Sequence, residues 1–289
     1  MFVYLGMPVS MIDEIPVIKV RAHDRVDTTD ELAAEEPLEI KIAYGEEHQQ
    51  QIKNISVTMR TPGHDAELAL GFLFTEGIIK NAKDIATVEH CFIACQENKE
   101  NVIQVSFHPD VQPDLHNTDR NFYTTSSCGV CGKSSINAIR TVNQYQAEIK
   151  DNMQISVDTL YALPELLREL QDVFEQTGGL HASALFSADG RLLLVREDVG
   201  RHNALDKLIG AALNKEWLPL NNNILLLSGR ASFELIQKAA MAGIRMVVAI
   251  GAPSTLAVQL AEEFNITLCG FLRGQRFNIY TSPQRIILT

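Results

Sequence analysis

Two patterns of apolar and polar residues divide the chain. In roughly the first hundred residues, strand-like pieces such as 38–44 and 52–59 accompany one amphipathic helix, which is predicted to begin near Asp65 with that residue as its cap. In the second half, short apolar runs alternate with helical patterns, and these runs are 180–186, 192–195, 224–228, 246–250 and 266–271. This alternation is typical of strands buried between layers of helices. The second half is therefore predicted to be an α/β structure.

The loops that follow the predicted strands are candidate ligand-binding positions. A helix predicted at 231–242 starts after Ser228-Gly229-Arg230 and stops at Gly243. In open α/β sheets, the carboxyl ends of the strands and the N-termini of the following helices line the ligand-binding crevice. We therefore expect 228–230 and 198–203 to be site loops.

Composition and charge restrict the kinds of partner. With 46% hydrophobic and 21% charged residues among 289, the chain is predicted to be an ordinary globular protein. Its net charge of -11 argues against nonspecific nucleic-acid binding, so an anionic ligand needs a local basic site. One candidate is the stretch after Glu263, which contains no acidic residue but includes Arg273, Arg276 and Arg285.

The location expected from the sequence is the cytoplasm, without membrane association. No apolar run approaches membrane-spanning length, and the apolar start of the chain lacks the basic residues that begin a signal peptide. The five cysteines are odd in number and are grouped unlike a secreted disulfide framework. Three of them, Cys91, Cys95 and Cys269, lie among apolar neighbours and are interpreted as small buried hydrophobes.

The other two, Cys128 and Cys131, lie in the sequence Ser-Ser-Cys-Gly-Val-Cys-Gly-Lys and carry the strongest chemical signal. A thiolate is the reactive form of cysteine, and the cation of Lys133 favours it. The flanking glycines leave room for a second sulfur-bearing molecule. Half of a zinc site and a thioredoxin-like dithiol are the alternatives. Neither is favoured, because Cys91 and Cys95 are too distant along the chain for a zinc ribbon, and a polar stretch precedes the two thiols. No metal site is predicted.

Seven segments in order give the chain a resemblance to the FdhD family, the sulfur-carrier proteins required for formate dehydrogenase activity. The segments are 57–65, 70–77, 126–135, 177–183, 198–207, 228–230 and 270–276. The resemblance implies that a cysteine desulfurase passes sulfane sulfur to Cys128 as a persulfide. It also implies transfer of that sulfur to a Mo-bis(molybdopterin guanine dinucleotide) cofactor before insertion into the formate dehydrogenase apoenzyme. Cys131 is then auxiliary, either resolving the persulfide or helping to receive sulfur.

The family also has a cofactor-binding segment, which corresponds here to Phe271, Leu272, Arg273, Gly274, Gln275 and Arg276. Guanidinium groups bind pyrophosphate oxygens, and an aromatic face can stack on a purine or pterin ring. Guanosine diphosphate is accordingly expected to bind as a partial mimic of the cofactor. The alternative is a surface turn with solvated arginines. The polar residues of 198–206 have a similar pair of interpretations, as helix caps or as a second cofactor contact.

The resemblance implies a homodimer and an α/β fold with two unequal parts. Residues 1–125 are predicted to form a smaller mixed α+β portion with a linker, 126–135 a cysteine loop, and 136–289 a three-layer α/β/α domain of cytidine-deaminase-like topology. Deamination is not expected, because Ser183 replaces the glutamate of the deaminase His-x-Glu element that His181 resembles. Two other functions are a non-catalytic assembly chaperone for the formate dehydrogenase apoprotein and its cofactor, with structural or zinc-binding cysteines, and a thiol-disulfide oxidoreductase.

Overall fold

The computed structural model describes residues 10–46, 48–91, 101–115, 145 and 153–288. The strands in these residues are β1 (Ile12–Arg21), β2 (Asp24–Ala33), β3 (Glu36–Tyr44), β4 (Gln51–Arg60), β5 (Ile85–His90), β6 (Val102–Phe107), β7 (Ile155–Ser156), β8 (His181–Ser187), β9 (Leu192–Asp198), β10 (Asn223–Leu227), β11 (Met246–Ala249), β12 (Thr267–Arg273), β13 (Arg276–Thr281) and β14 (Ile286–Ile287). The α-helices are α1 (Asp65–Thr75), α2 (Val157–Arg168), α3 (Asp172–Thr177), α4 (Arg201–Asn214), α5 (Phe233–Met241) and α6 (Thr255–Glu263). No helix within these ranges is long and apolar enough to cross a membrane.

The smaller part of the fold is a four-stranded sheet with α1 packed on it. Its strand order is β4-β3-β6-β5, in which β3 and β6 are parallel and both outer strands are antiparallel. This confirms the mixed α+β character predicted for the N-terminal portion. The predicted cap of α1 is wrong, because His64 occupies the cap position with a φ of 57°. Asp65 instead accepts two 3.0 Å hydrogen bonds from the buried guanidinium of Arg60.

The larger part is built on a six-stranded sheet in the order β13-β12-β11-β10-β8-β9. Strands β10, β11 and β12 are parallel, and β8, β9 and β13 pair antiparallel at either side. Helices α4, α5 and α6 pack on one face through Leu185, Leu225 and Val247, while α2 packs on the other through Phe186, Leu226 and Val248. Residues one apart in a strand point to opposite faces, so each apolar run supplies both layers. The predicted three-layer α/β/α arrangement is confirmed.

The two parts meet where α1 crosses α4. A Cβ atom added to Gly71 would lie 1.9 Å from the carbonyl oxygen of Asp206, and one added to Gly210 would lie 1.9 Å from that of Glu67. Only glycine lets two helix backbones approach so closely. A single buried apolar cluster then continues from the small sheet to the large one. The domain boundaries predicted at 125/126 and 135/136 lie outside the described residues and stay a prediction.

Candidate functional site

The site lies along what we call the carboxyl edge, the edge of the six-stranded sheet at which the parallel strands β10, β11 and β12 end. Loops 228–230 and 251–253 and segment 271–276 follow one another along it. The Gly251 amide donates to the Gly229 carbonyl at 2.9 Å, and the Phe271 amide donates to the Gly251 carbonyl at 3.1 Å. Because β8 and β9 are antiparallel to their neighbours, β8 begins and β9 ends at this edge. His181 and the N-terminus of α4 therefore also lie there.

Segment 271–276 forms the hairpin between β12 and β13. Arg273 pairs with Arg276 across a two-residue turn of Gly274 and Gln275, and Gly274 has a φ of 55°, which favours glycine. All four of these residues are exposed. The turn therefore presents two guanidinium groups side by side to solvent, in an arrangement that can bind a pyrophosphate.

Phe271 and Leu272 of the same segment have opposite surroundings. Leu272 is buried in the apolar layer beneath α2, so its side chain anchors the hairpin. Phe271 is 48% exposed and has a φ of 58°, which a bulky residue rarely adopts. A strained backbone that holds an aromatic ring in solvent is the kind of outlier found at ligand-binding positions. Tyr280, also exposed, packs against Gly270, the residue before Phe271.

The third arginine of the acid-free C-terminal stretch does not belong to this surface. Arg285 is 1% exposed and donates to the Thr267 hydroxyl and to the Asn265 carbonyl, both at 2.8 Å. Its guanidinium holds the start of β12 against the loop before it, at the opposite end of the strand from the carboxyl edge. The sequence expectation that Arg285 contributes to a basic ligand site is therefore wrong.

A buried ion pair positions the start of α4 at the carboxyl edge. Lys207 lies 2.7 Å from Asp198, and both side chains are fully buried. Burial raises the pKa of the Asp198 carboxyl, and the Lys207 ammonium counteracts that effect. The same carboxylate accepts from the amides of Thr61 and Gly200. It therefore fixes the turn into α4 against the loop that precedes α1. Sequence reasoning did not single out Lys207, because a lysine in a helix is normally solvated.

The polar residues predicted at 198–206 thus have a structural role in part. Asp198 and Asn203 hydrogen-bond to each other at 3.1 Å, and Asn203 also donates to the Met59 carbonyl at 2.7 Å. Asp206 accepts from Lys238 and from the Thr75 hydroxyl, all at 2.9 Å. These contacts tie the two parts of the fold together. Arg201 and His202 are half-buried at the edge itself.

Two histidines lie beside the first turn of α4. His181 approaches Gly229 so closely that a Cβ there would lie 3.3 Å from its Nδ1. Burial lowers the pKa of His181, and the nearby charges of Arg201 and His202 lower it further, so the imidazole is neutral near pH 7. His202 Nε2 lies 3.2 Å from the Ser232 hydroxyl and 3.7 Å from Glu234, and this interaction lowers the pKa of Glu234 to about 2.

Loop 228–230, predicted as a site loop, contains one residue that supports the fold and one that is exposed. The Ser228 hydroxyl accepts from the Ala182 amide at 2.8 Å, and the Ser228 amide donates to the Ala182 carbonyl at 3.0 Å. Ser228 therefore extends the pairing of β8 with β10. Arg230 is exposed at the same edge.

The predicted reactive cysteines, Cys128 and Cys131, lie outside the described residues, as do Lys133 and Cys95. Cys269 is fully buried, and burial raises the pKa of its thiol to about 12, which confirms its interpretation as a small buried hydrophobe. Cys91 is only partly buried; burial raises the pKa of its thiol too.

Comparison with known proteins gives concordant results. The model of the FdhD/NarQ family matches residues 33–287. The chain is 50% identical over 274 residues to the sulfur carrier protein FdhD of Mycolicibacterium paratuberculosis, covering 93% of this chain and 97% of that one. It is 48% identical over 275 residues to the protein of the same name from Streptomyces coelicolor, covering 94% of each.

A solved structure has the same fold. The crystal structure of a Desulfotalea psychrophila protein, assigned as a formate dehydrogenase accessory protein, superposes with a TM-score of 0.72 at 23% identity, covering 96% of this chain and 100% of that one. The fold agreement and the match over nearly the whole chain lead to one conclusion. This protein belongs to the FdhD/NarQ family.

Proposed function

We propose that this protein is a sulfur carrier for the maturation of formate dehydrogenase. A cysteine desulfurase donates sulfur, the persulfide forms on Cys128, and the sulfur passes to a Mo-bis(molybdopterin guanine dinucleotide) cofactor before that cofactor enters the formate dehydrogenase apoenzyme. The observation that carries the proposal is the family match over 33–287, since the matching relatives are named sulfur carrier proteins. The exposed ring and guanidinium groups of segment 271–276 support the cofactor step.

The proposed sulfur transfer uses the thiols of Cys128 and Cys131. The Cys128 thiolate attacks the outer sulfur of the donor's persulfide, so a new S–S bond forms while the donor's S–S bond breaks and the donor leaves as a thiolate. The sulfur stays covalently attached during this transfer from the donor to Cys128. When Cys131 then attacks the Cys128 sulfur, a disulfide forms and the outer sulfur leaves as hydrosulfide. The two thiols supply the electrons, and an added thiol reductant restores them.

Mass spectrometry tests the persulfide step. Incubation with a desulfurase and cysteine is expected to add about 32 Da to the peptide that contains Cys128. The Cys128→Ala variant should take up no sulfur and should fail to restore formate dehydrogenase activity in cells that lack the wild-type protein. Cys269→Ala, which changes a buried thiol, is the matched control and should take up sulfur normally. Full enzyme activity with Cys128→Ala would exclude the carrier mechanism and favour the assembly chaperone.

Nucleotide titration tests the cofactor step. Replacing Arg273 and Arg276 together by alanine is expected to weaken guanosine diphosphate binding at least about tenfold, because two charge-assisted contacts to phosphate are lost. Arg191→Ala, at the opposite end of the six-stranded sheet, is the control and should bind normally. Equal affinity in the double variant would place the nucleotide elsewhere on the protein.

A further inference from the structure

Two buried polar atoms at the carboxyl edge lack a hydrogen-bond partner. They are the hydroxyl oxygen of Ser183, a residue that is 1% exposed, and Nε of Arg201. A buried polar group without a partner loses its hydrogen bonds to water and gains none in return, so natural proteins keep few of them. Two on adjacent elements are most simply explained by a ligand that supplies the missing partner.

Both side chains point toward the same space between β8 and α4. Arg201, Leu205 and Leu208 follow at helical spacing along α4, and the two leucines are fully buried against the sheet. Arg201 therefore continues the stripe that faces the sheet. On β8, Ser183 lies two residues from His181 and two from Leu185, so the three share the helix-facing side of the strand.

The first turn of α4 adds further donors. Its cap is Gly200, which has no side chain to accept from the first amides, and the turn contains no acidic residue. An uncapped helix N-terminus presents free N–H groups and a partial positive charge. The only carboxylate on the adjoining turn, that of Asp198, is already engaged by Lys207 on its buried side.

We propose that Ser183, Arg201 and the first turn of α4 form an anion subsite that binds a phosphate group. The subsite is separate from segment 271–276, since β8 and β12 are three strand spacings apart, or about 14 Å. One phosphate cannot contact both places. Phosphate or pyrophosphate bound in the subsite does not reach segment 271–276, whereas a longer ligand with a second binding group about 14 Å from its phosphate spans both. Only the identity of that longer ligand rests on the proposed function.

Titration with inorganic pyrophosphate tests the subsite. Because the exposed Arg273 and Arg276 can also bind pyrophosphate, the titration uses the Arg273→Ala, Arg276→Ala double variant, which keeps Ser183 and Arg201. Adding Arg201→Gln to it is expected to weaken pyrophosphate binding at least about tenfold, because a charge-assisted contact is lost. Arg191→Gln in the same background is the control for a lost surface charge. The subsite is excluded if the double variant does not bind pyrophosphate, which would leave water as the partner of both atoms. Equal binding after the addition of Arg201→Gln would exclude it as well.

Ser183→Ala separates ligand binding from a structural role. In the ligand-free protein, removal of an unpaired buried hydroxyl should raise the melting temperature by about 2–4 °C. The same variant should gain less stability from pyrophosphate than the wild type does. If the hydroxyl only supports the fold, Ser183→Ala should instead have a lower melting temperature and an unchanged response to pyrophosphate.

A measurement on the wild-type protein makes the test independent of any variant. The charged and titratable groups around His181 are Arg201, His202 and Asp198. An anion bound beside Arg201 offsets its charge, so pyrophosphate should raise the pKa of His181 in an NMR titration. An unchanged titration would overturn the subsite. Persulfide formation on Cys128 is measured by mass spectrometry and does not depend on pyrophosphate binding. Failure of the subsite and failure of the carrier function can therefore be told apart.

Discussion

At the scale of the residue, Phe271 shows how backbone strain and exposure coincide at the candidate site. Its left-handed backbone costs about 1–3 kcal/mol, and its ring is 48% exposed, so apolar burial offsets little of that cost. The amide is held by the Gly251 carbonyl at 3.1 Å, which keeps the ring at the carboxyl edge. A strained backbone with an exposed ring is better explained by contact with a ligand than by packing.

Replacing Phe271 by glycine should therefore weaken binding without weakening the fold. Glycine adopts the left-handed conformation freely, so the melting temperature is expected to stay level or rise. Loss of the stacking ring should lower guanosine diphosphate affinity at least about fivefold. Calorimetry and a nucleotide titration on the same sample measure both quantities. A lower melting temperature with full affinity would show that the ring supports the fold and does not contact the nucleotide.

At the scale of the element, the crossing of α1 and α4 decides how the two parts are joined. The helices touch backbone to backbone at Gly71 and Gly210, and the buried pairs of Lys207 with Asp198 and of Lys238 with Asp206 lie on either side. This crossing also holds the first turn of α4 at the carboxyl edge. Any change that separates the two helices should therefore disturb the site as well as the fold.

Gly71→Ala and Gly210→Ala are each expected to lower the free energy of unfolding by about 1–3 kcal/mol. The added methyl meets a backbone carbonyl oxygen of the facing helix, which can move only if that helix moves. Gly179→Ala is the matched control, since a Cβ there meets its nearest atom at an ordinary 3.6 Å. Urea unfolding of the three variants measures the difference. Similar stability for Gly71→Ala and Gly179→Ala would mean that α1 and α4 do not touch in solution.

At the scale of the whole molecule, a half-buried ion pair links the small part to the large one. Glu67 on α1 pairs with Arg196 on β9, with Nη2 and Oε1 2.8 Å apart, and with His64 at 3.2 Å. Burial alone would raise the pKa of Glu67, but hydrogen bonds from Arg196 and His64 lower it to about 2. The folded state therefore keeps this carboxylate ionised where the unfolded state, with a pKa near 4.5, takes up a proton.

The sign of the pH dependence follows from that difference. A lowered pKa in the folded state gives stability that is complete above about pH 4.5 and is lost as the pH falls toward about 2. The stability difference between the wild type and Glu67→Gln should therefore be largest near neutral pH and should shrink over that range. Urea unfolding at several pH values measures it, with the exposed Glu175→Gln as control. A difference that is constant with pH would contradict the ion pair.

Sequence alone determined the buried strands, because burial fixes their pattern of apolar residues. The apolar runs at 224–228, 246–250 and 266–271 became β10, β11 and β12 within two residues, because a strand buried on both faces must be apolar throughout. The exposed hairpin of β1 and β2 gave no such signal, since its residues contact solvent on both faces and include Asp27, Asp30 and Glu31.

The sequence placed 228–230 and 198–203 as site loops because each follows a predicted strand, and the family resemblance identified segment 271–276; that all three lie at one edge was decided by the tertiary structure. Only the tertiary structure decided which polar side chains are free to bind. Arg273 and Arg285 look alike in sequence, yet Arg273 is exposed and Arg285 is buried at the start of β12. The Ser228 hydroxyl has a backbone amide within reach, and the Ser183 hydroxyl does not. Hydrogen bonding depends on distances between segments far apart in the chain, and no local pattern encodes those distances.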